Sequence, residues 1–137
     1  MIRYPNLYTS LISCIILFFS ATQFTFANKI EKGYQALVIF DYFQAKKLFQ
    51  KSLKKDTSPA AYGLAQIYFR KDNPFHSLDS AYKYIGIAKS TREKVKLKTR
   101  IKLEKYHYSE ESILDLEQSI SKGFFTVRIR YSDKFLF

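Results

Sequence analysis

The fold of this chain is decided by two stretches that share one pattern, GYQALVIFDYFQAKKLFQKS at residues 33–52 and AQIYFRKDNPFHSLDSAYKYIGIA at residues 65–88. Each begins with a small residue and continues with three residues spaced as i, i+4 and i+7, the first of them alanine. The positions are Gly33, Ala45, Phe49 and Ser52 in the first stretch and Ala65, Ala81, Ile85 and Ala88 in the second. Small residues among larger apolar ones at helical spacing let two helices pack closely. The pattern therefore predicts two helix pairs in a repeating array, a class of fold that usually binds other macromolecules.

Length and composition favour a helical globular protein. The 137 residues are enough for at most one ordinary domain, and a hydrophobic content of 47% is enough for a packed core. With only four glycines and three prolines, the chain has few residues for tight turns, which favours helices over strands.

The first 27 residues have the pattern of a secretory signal. They contain one charge, Arg3, then an apolar run at residues 11–19 and a small-x-small exit at residues 25–27. The run is shorter than the roughly 20 residues that span a membrane, so we expect cleavage after Ala27 and no transmembrane helix afterwards. Two alternatives are a lipidated N-terminus at Cys14, which follows a lipobox-like run, and an uncleaved anchor.

Each of these alternatives places the remainder of the chain outside the cytoplasm. The expected destinations are the periplasm, the cell envelope or the medium. Because the signal contains one of the 23 basic residues and none of the 12 acidic ones, the remainder has 22 basic against 12 acidic residues and a net charge of +10.

Periodicity and capping signals predict six helices after the signal. Their ranges are residues 29–40, 42–55, 59–70, 78–89, 92–106 and a helix that begins after residue 109. The predicted N-caps are Ser58, Ser77, Thr91 and Ser109. Phe40 and Tyr82 are expected on buried faces because they share the helical spacing of their apolar neighbours. In the fifth helix the expected buried stripe is Val95, Thr99, Leu103 and Tyr106, with Leu97 and Ile101 beside it.

The predicted organisation has four parts. They are a signal peptide at residues 1–27, two helix pairs at 28–90, a third and divergent helix pair at 91–122, and a tail at 123–137. Residues 126–131 of the tail alternate like a strand, but a lone strand has no partner in a helical chain. We therefore expect a helix or a frayed extension with which a further repeat begins.

The two patterned units resemble the tetratricopeptide repeat. The matching positions are Gly33, Tyr42, Ala45, Phe49, Ser52 and Leu53 in the first unit and Leu64, Ala65, Tyr68, Ala81, Ile85 and Ala88 in the second. The longer turn of the second unit is similar to Sel1-like repeats. The segment after residue 102 is similar to the one found after such repeats in envelope proteins of Bacteroidetes-type bacteria. The resemblance implies an all-α fold of antiparallel helical hairpins stacked as a short right-handed superhelix.

In that family the first helix of each pair lines a concave groove that binds a peptide or protein segment. Transferred to matching positions, the groove would be lined by Tyr34, Leu37, Tyr62, Gln66, Phe69 and Arg70. The Lys/Asn/Arg set that grips a C-terminal carboxylate in chaperone-binding members is not matched, because Tyr34 and Gln66 occupy two of its places. The resemblance therefore implies a non-enzymatic adaptor or scaffold, without a carboxylate-anchored ligand.

A second hypothesis rests on charge. Basic residues occur at nearly alternate positions after the second unit, namely Arg92, Lys94, Lys96, Lys98, Arg100, Lys102 and Lys105. On a helix they would spread around the axis, as either a solvated positive face or a binding surface for an anionic polymer or lipid headgroups. The export signal argues against nucleic acid as the partner.

Catalytic and cofactor motifs are not found in the sequence. It has no Ser/His/Asp arrangement, no phosphate-binding glycine loop and no pair of metal ligands at a recognisable spacing. His76 follows a proline turn and His107 lies at a helix junction, and we expect a surface or packing role for both. We therefore expect no cofactor, no metal and no enzymatic activity.

Overall fold

The computed structural model describes residues 28–132, with side chains up to residue 123, and all regular secondary structure in this part is helical. The helices are α1 (Lys29–Val38), α2 (Tyr42–Ser52), α3 (Thr57–Phe69), α4 (Leu78–Thr91), a 3-10 helix (Arg92–Lys94), α5 (Leu97–Glu104) and α6 (Glu110–Ser132). The predicted all-α class is confirmed for these residues. The predicted signal peptide, with its cleavage site at Ala27, and residues 133–137 lie outside the described part.

Consecutive helices pack in pairs, as the repeated pattern predicts. α1 packs against α2 and α3 packs against α4, while α3 also contacts α1 and α2 and joins the two pairs. α6 packs mainly on α4. Because turns at residues 39–41 and 70–77 connect the partners, each pair is a helical hairpin, the second with the longer turn. The right-handed superhelix implied by the resemblance stays a prediction.

The alanines of the pattern lie at the helix contacts. Ala45 on α2 and Ala81 on α4 are fully buried. Helices α1 and α3 both pack closely on Phe49 of α2, whose ring lies between Gly33 of α1 and Gly63 of α3. A Cβ atom added at Gly33 would lie 2.7 Å from that ring, and one at Gly63 would lie 2.4 Å from it. An alanine at either mid-helix position would force the Phe49 ring to shift, which accounts for glycine there despite its low helix propensity.

Three helices have side-chain N-caps. They are α2, α4 and α6, capped by Asp41, Ser77 and Ser109, whose oxygens accept hydrogen bonds from backbone N–H groups three residues on at 3.0, 3.2 and 3.0 Å. The predicted caps Ser77 and Ser109 are thereby confirmed.

Ser58 does not cap α3, contrary to the prediction. The helix begins at Thr57, so Ser58 lies inside its first turn and is buried. Its hydroxyl donates to the Ala88 carbonyl at 2.6 Å and lies 2.6 Å from the Tyr108 hydroxyl. Since Ser58 has one proton to donate, Tyr108 is the donor of the second bond. These two hydrogen bonds connect the start of α3 to the end of α4 and to the segment before α6.

The chain after α4 differs most from the prediction. α4 continues through Thr91, the predicted cap, and the long helix predicted at 92–106 is replaced by a 3-10 turn, an extended link and the short α5. Apolar residues at alternate positions point to different sides of a helix. Accordingly α5 buries Leu103 and leaves Leu97 and Ile101 exposed.

Two residues predicted to be buried are exposed. They are Phe40, at 61%, and Tyr82, at 54%. Phe40 has a left-handed backbone, with φ 61°, and ends α1 through hydrogen bonds from its own N–H to Leu37 and from Asp41 to Ala36. The helix therefore stops before Phe40 can continue its buried face.

α6 runs through the predicted boundary at residues 122 and 123 without a break. The alternating residues 126–131 lie in this helix and not in a strand. Whether a further repeat begins there stays a prediction. Within residues 28–132, no helix combines the length and the apolar character needed to cross a bilayer.

Candidate functional site

The groove position Tyr34 is part of the core. Its side chain is 1% exposed, and its hydroxyl donates a hydrogen bond to the Pro59 carbonyl at 2.6 Å. Its ring packs edge-on against Phe49 at 5.0 Å and stacks on Tyr106 at 5.4 Å. Burial raises the pKa of the Tyr34 phenol well above its usual value, so the hydroxyl stays protonated and remains a donor.

Tyr62 is also buried, at 3% exposure, with its ring 5.8 Å from that of Tyr108. The predictions for Tyr34 and Tyr62 as groove-lining residues are therefore wrong. The physical reason is the path of residues 97–108, which bring Tyr106 onto Tyr34 and Tyr108 onto Tyr62.

The other four predicted groove residues are partly accessible. Leu37 and Phe69 are half-buried and pack against the core. Gln66 is half-buried, and its Oε1 is buried without a hydrogen-bond partner. Arg70 keeps 40% of its side chain exposed. The structure does not join these four into an open groove with Tyr34 and Tyr62.

A different surface exposes large apolar side chains. At the turn between α1 and α2, Val38 is 64% exposed, Ile39 72%, Phe40 61% and Phe43 68%. The Phe43 ring packs edge-on against Phe75, 4.8 Å away in the turn between α3 and α4. We call these five residues the aromatic edge. Exposed apolar side chains grouped in this way mark interaction sites more often than isolated ones do.

Two cations lie over the rings of the aromatic edge. The Arg70 guanidinium lies 5.0 Å from the centre of the Phe40 ring, and the Lys46 ammonium lies 4.0 Å from that of Phe75. Each is close enough for a cation–π attraction. The surface thus combines apolar contact area with fixed positive charge.

Arg70 is held in place by Asp72. Its Nε and Nη2 donate to the two carboxylate oxygens at 3.2 and 2.9 Å, and the Tyr42 hydroxyl also donates to Asp72 at 2.9 Å. The hydrogen bonds from Arg70 and then from Tyr42 lower the pKa of Asp72 to about 2. Asp72 is therefore ionised at neutral pH, and it orients the guanidinium beside Phe40.

The seven predicted basic residues do not form one surface. Four of them bind within the chain. Arg92 pairs with Glu110 at 3.4 Å, Arg100 donates to two backbone carbonyls, and Lys102 and Lys105 pair with Glu31 at 2.6 and 2.7 Å. The remaining three, Lys94, Lys96 and Lys98, are exposed and have no ion pair among the described residues.

Two of these free lysines line a cleft of about 530 Å³. Lys94 and Lys96 lie on one side, and Lys55 and the first turn of α3 lie on the other. The N–H groups of a helix start and lysine side chains both attract anions. This cleft is therefore a candidate site for an anionic ligand.

The two histidines are exposed in turns, and His76 directly follows Phe75 of the aromatic edge. His76 is exposed in the turn between α3 and α4, and His107 is exposed after α5 with a left-handed φ of 60°. Within the described part of the chain, no three His, Cys, Asp or Glu residues are grouped so that they could hold a metal ion.

Comparison of the chain with protein-family models, with curated proteins and with solved structures found no match. Function therefore has to be inferred from the surfaces themselves.

Sequence reasoning missed Phe43 and Phe75 as surface residues. One signal was present, since Phe43 follows Tyr42 and precedes Ala45, both of which face the core. A residue one position away from a buried one is rotated by about 100° around the helix, so Phe43 has to point elsewhere. The consecutive residues Val38, Ile39 and Phe40 also indicate exposed apolar side chains, because three consecutive residues cannot all lie on one face of a helix.

Proposed function

We propose that this chain is a non-enzymatic interaction module of the tetratricopeptide-like type that binds a protein or peptide segment at its aromatic edge. The observation that carries the proposal is the exposure of four neighbouring large apolar side chains at a single turn, beside an oriented guanidinium. Aromatic residues and arginine are the residue types that contribute most to binding energy in protein interfaces.

The physical argument is that water-exposed apolar area is unfavourable until a partner covers it. Burying apolar surface gains about 25 cal/mol per Å², so a few hundred Å² at the edge corresponds to several kcal/mol of gross binding free energy. The side chains of Phe40 and Phe75 are also held in position by Arg70 and Lys46, which reduces the ordering cost on binding.

The place of action that we propose is the cell envelope, the periplasm or the medium. The support for it is the secretory pattern of the first 27 residues.

Photo-crosslinking tests the edge as a binding site. The full chain is made with a photo-reactive phenylalanine at position 43 or, as a control, at position 101, where Ile101 is exposed on α5 to a similar extent. We expect a discrete protein adduct from position 43 only, formed also in high salt and lost on Phe40→Ser. Identical products from both positions, or no protein adduct from position 43, would contradict the proposal.

A second candidate function is the binding of an anionic polymer or of lipid headgroups, and the cleft beside Lys94 and Lys96 is the observation that favours it. Such binding would weaken steeply as salt rises, because exposed charges are screened. Sedimentation with vesicles that contain anionic lipid measures it. Loss of sedimentation in Lys94→Gln with Lys96→Gln, and not in Phe43→Ser, would favour this candidate over the aromatic edge.

A further inference from the structure

A second cavity, of about 340 Å³, is bordered by the end of α4, by α5 and by the first turn of α6. Its volume lies at the lower end of the roughly 300–1,000 Å³ that is typical of small-molecule sites. Three cations and two carboxylates line it, namely Lys89, Arg92, Arg100, Glu93 and Glu110. It shares no residue with the lysine cleft or with the aromatic edge, so it is a separate feature of the surface.

Arg92 is a largely buried cation with few acceptors. Its side chain is 19% exposed, and its one ion pair among the described residues is a contact of 3.4 Å from Nη1 to Glu110 Oε2. Hydrogen bonds between ionised groups are usually about 2.7–2.9 Å long, so this contact is a weak one. The Nε of Arg92 is buried and has no hydrogen-bond partner in the described part of the chain. A buried cation that lacks acceptors is costly, and a further acceptor would stabilise it.

Arg100 brings a second guanidinium group to the same cavity. Its Nε and Nη2 donate to the carbonyls of Val95 and Glu93 at 2.9 and 2.8 Å, and these two bonds fix the orientation of the group. No carboxylate among the described residues pairs with it. Burial raises the pKa of the Tyr108 phenol, and the charges of Arg92 and Arg100 act on it in the opposite direction, so both guanidiniums lie within electrostatic range of one hydroxyl. Two neighbouring cations at one cavity attract an anion.

The other charges at the cavity limit the charge of the ligand. Lys89 is already paired with Glu117 at 2.8 Å, so the two guanidiniums are the groups that remain to bind an anion. The carboxylates of Glu93 and Glu110 also line the cavity. Because they repel negative charge, a singly charged carboxylate fits better than a doubly charged phosphate.

The remaining wall of the cavity is apolar. It consists of Ile113, which is buried, and of Leu114, which is 43% exposed. We propose that the cavity binds a small organic acid, with its single carboxylate on the guanidinium of Arg92, beside that of Arg100, and with its apolar portion against Leu114. A guanidinium suits this role because two of its N–H donors can meet the two oxygens of a carboxylate. This site does not depend on the proposed interaction at the aromatic edge.

Titration of the isotope-labelled full chain with hexanoate, followed by NMR, tests the proposal. We expect saturable shifts of the backbone amides at residues 92–93 and 110–114. Hexanol has the apolar portion without the charge, and inorganic phosphate has charge without the apolar portion. Each should bind about tenfold more weakly than hexanoate, because a hydrogen bond between ionised groups or the apolar contact is lost. Phosphate binding as tight as that of hexanoate would overturn the proposed class of ligand.

Glu110→Gln provides a test in which binding increases. Glu110 is the carboxylate that competes for Arg92, and its side chain is 73% exposed, so its replacement leaves the core unchanged. The matched control is Glu111→Gln, which removes the same charge from an exposed neighbour that does not line the cavity and has no ion pair among the described residues. We expect hexanoate to bind Glu110→Gln about threefold more tightly than it binds Glu111→Gln. Loss of folding cannot produce such a gain.

Arg92→Gln should weaken hexanoate binding by about tenfold, because it removes the cation that holds the carboxylate. The control Lys94→Gln removes the same charge from the lysine cleft and should leave the binding of hexanoate unchanged. Circular dichroism establishes that both variants are folded, and the comparison at Glu110 decides the matter if Arg92→Gln does not fold. Equal affinities of Glu110→Gln and Glu111→Gln would overturn the proposal. So would the absence of saturable shifts, which is the result expected of a cavity that holds only water.

Discussion

Phe49 lies against Gly63, whereas Gly86 has no neighbour at the position of an added Cβ atom. We therefore predict that replacement of glycine by alanine destabilises the protein at Gly63 and stabilises it at Gly86. Gly63→Ala would place a Cβ atom 2.4–2.7 Å from three atoms of the Phe49 ring, well inside van der Waals contact. The ring cannot move away, because it is fully buried and its other side already faces Gly33. Gly86, in the middle of α4, has nothing within 4 Å of an added Cβ.

The magnitudes are set by two terms. Replacing glycine by alanine inside a helix stabilises it by about 1 kcal/mol at either site. Overpacking of a closed core costs about 1–3 kcal/mol, which applies at Gly63 and not at Gly86. We therefore expect Gly63→Ala to lower the free energy of unfolding by up to about 2 kcal/mol, and Gly86→Ala to raise it by about 0.5–1 kcal/mol.

Urea and thermal unfolding followed by circular dichroism measure both changes. A loss of about 1 kcal/mol corresponds to a melting temperature lower by about 4–8 °C for a domain of this size. Combining Gly63→Ala with Phe49→Leu should cost less than the sum of the two single changes, because the smaller side chain relieves the collision. If Gly63→Ala were as stable as Gly86→Ala, or if the double variant were additive, the close packing of Phe49 on α3 would be refuted.

Three further predictions concern polar contacts and the backbone. Hydrogen bonds from Lys102 and then from Lys105 lower the folded pKa of Glu31 below its unfolded value. Its contribution to stability is therefore present above the unfolded pKa and lost as pH falls through the folded one. Glu31→Gln should thus lose about 1–2 kcal/mol at pH 7, and urea titrations at successively lower pH should show that loss shrinking. Ser58→Ala should cost about 1–3 kcal/mol, more than Tyr108→Phe, because it removes two buried hydrogen bonds and Tyr108→Phe removes one; equal costs would contradict the network. Phe40→Gly should raise the melting temperature, since a left-handed residue other than glycine costs about 1 kcal/mol, and a lower melting temperature would count against that strain.

The helix pairs were predictable because their signal is local. Ala45 and Ala81 are buried where the spacing places them, and Ser77 and Ser109 cap the helices that come after them. Each of these features depends on residues within about two turns of a helix, a range at which periodicity and capping rules apply directly. The missed Gly63 depends on Phe49, which lies on another helix, so its role could not be read from its neighbours in sequence.

The binding surface was not predictable in the same way. Tyr34 and Tyr62 were assigned to an open groove by transfer from a repeat motif, and that motif contains no equivalent of residues 97–108, which cover them. The contact that buries Tyr34 comes from Tyr106, 72 positions further along the chain. A local pattern carries no information on which distant segment will return to a surface. The pairing of Glu31 with Lys102 and Lys105 escaped prediction for the same reason, since its partners appeared only as members of a basic run.

Phe40 combines two unfavourable features, and their coincidence is the strongest argument that the aromatic edge has a function. Its backbone is in the left-handed region, where glycine would be free of strain, and its ring is exposed, where a polar side chain would be better solvated. Within the described residues the ring contacts the Arg70 guanidinium, 5.0 Å away, and the edge of the Tyr42 ring, 6.3 Å away. Strain of this kind concentrates at functional sites because selection for binding can maintain it against stability. A partner that covers the ring would remove the cost of exposure while using the position that the strained turn imposes.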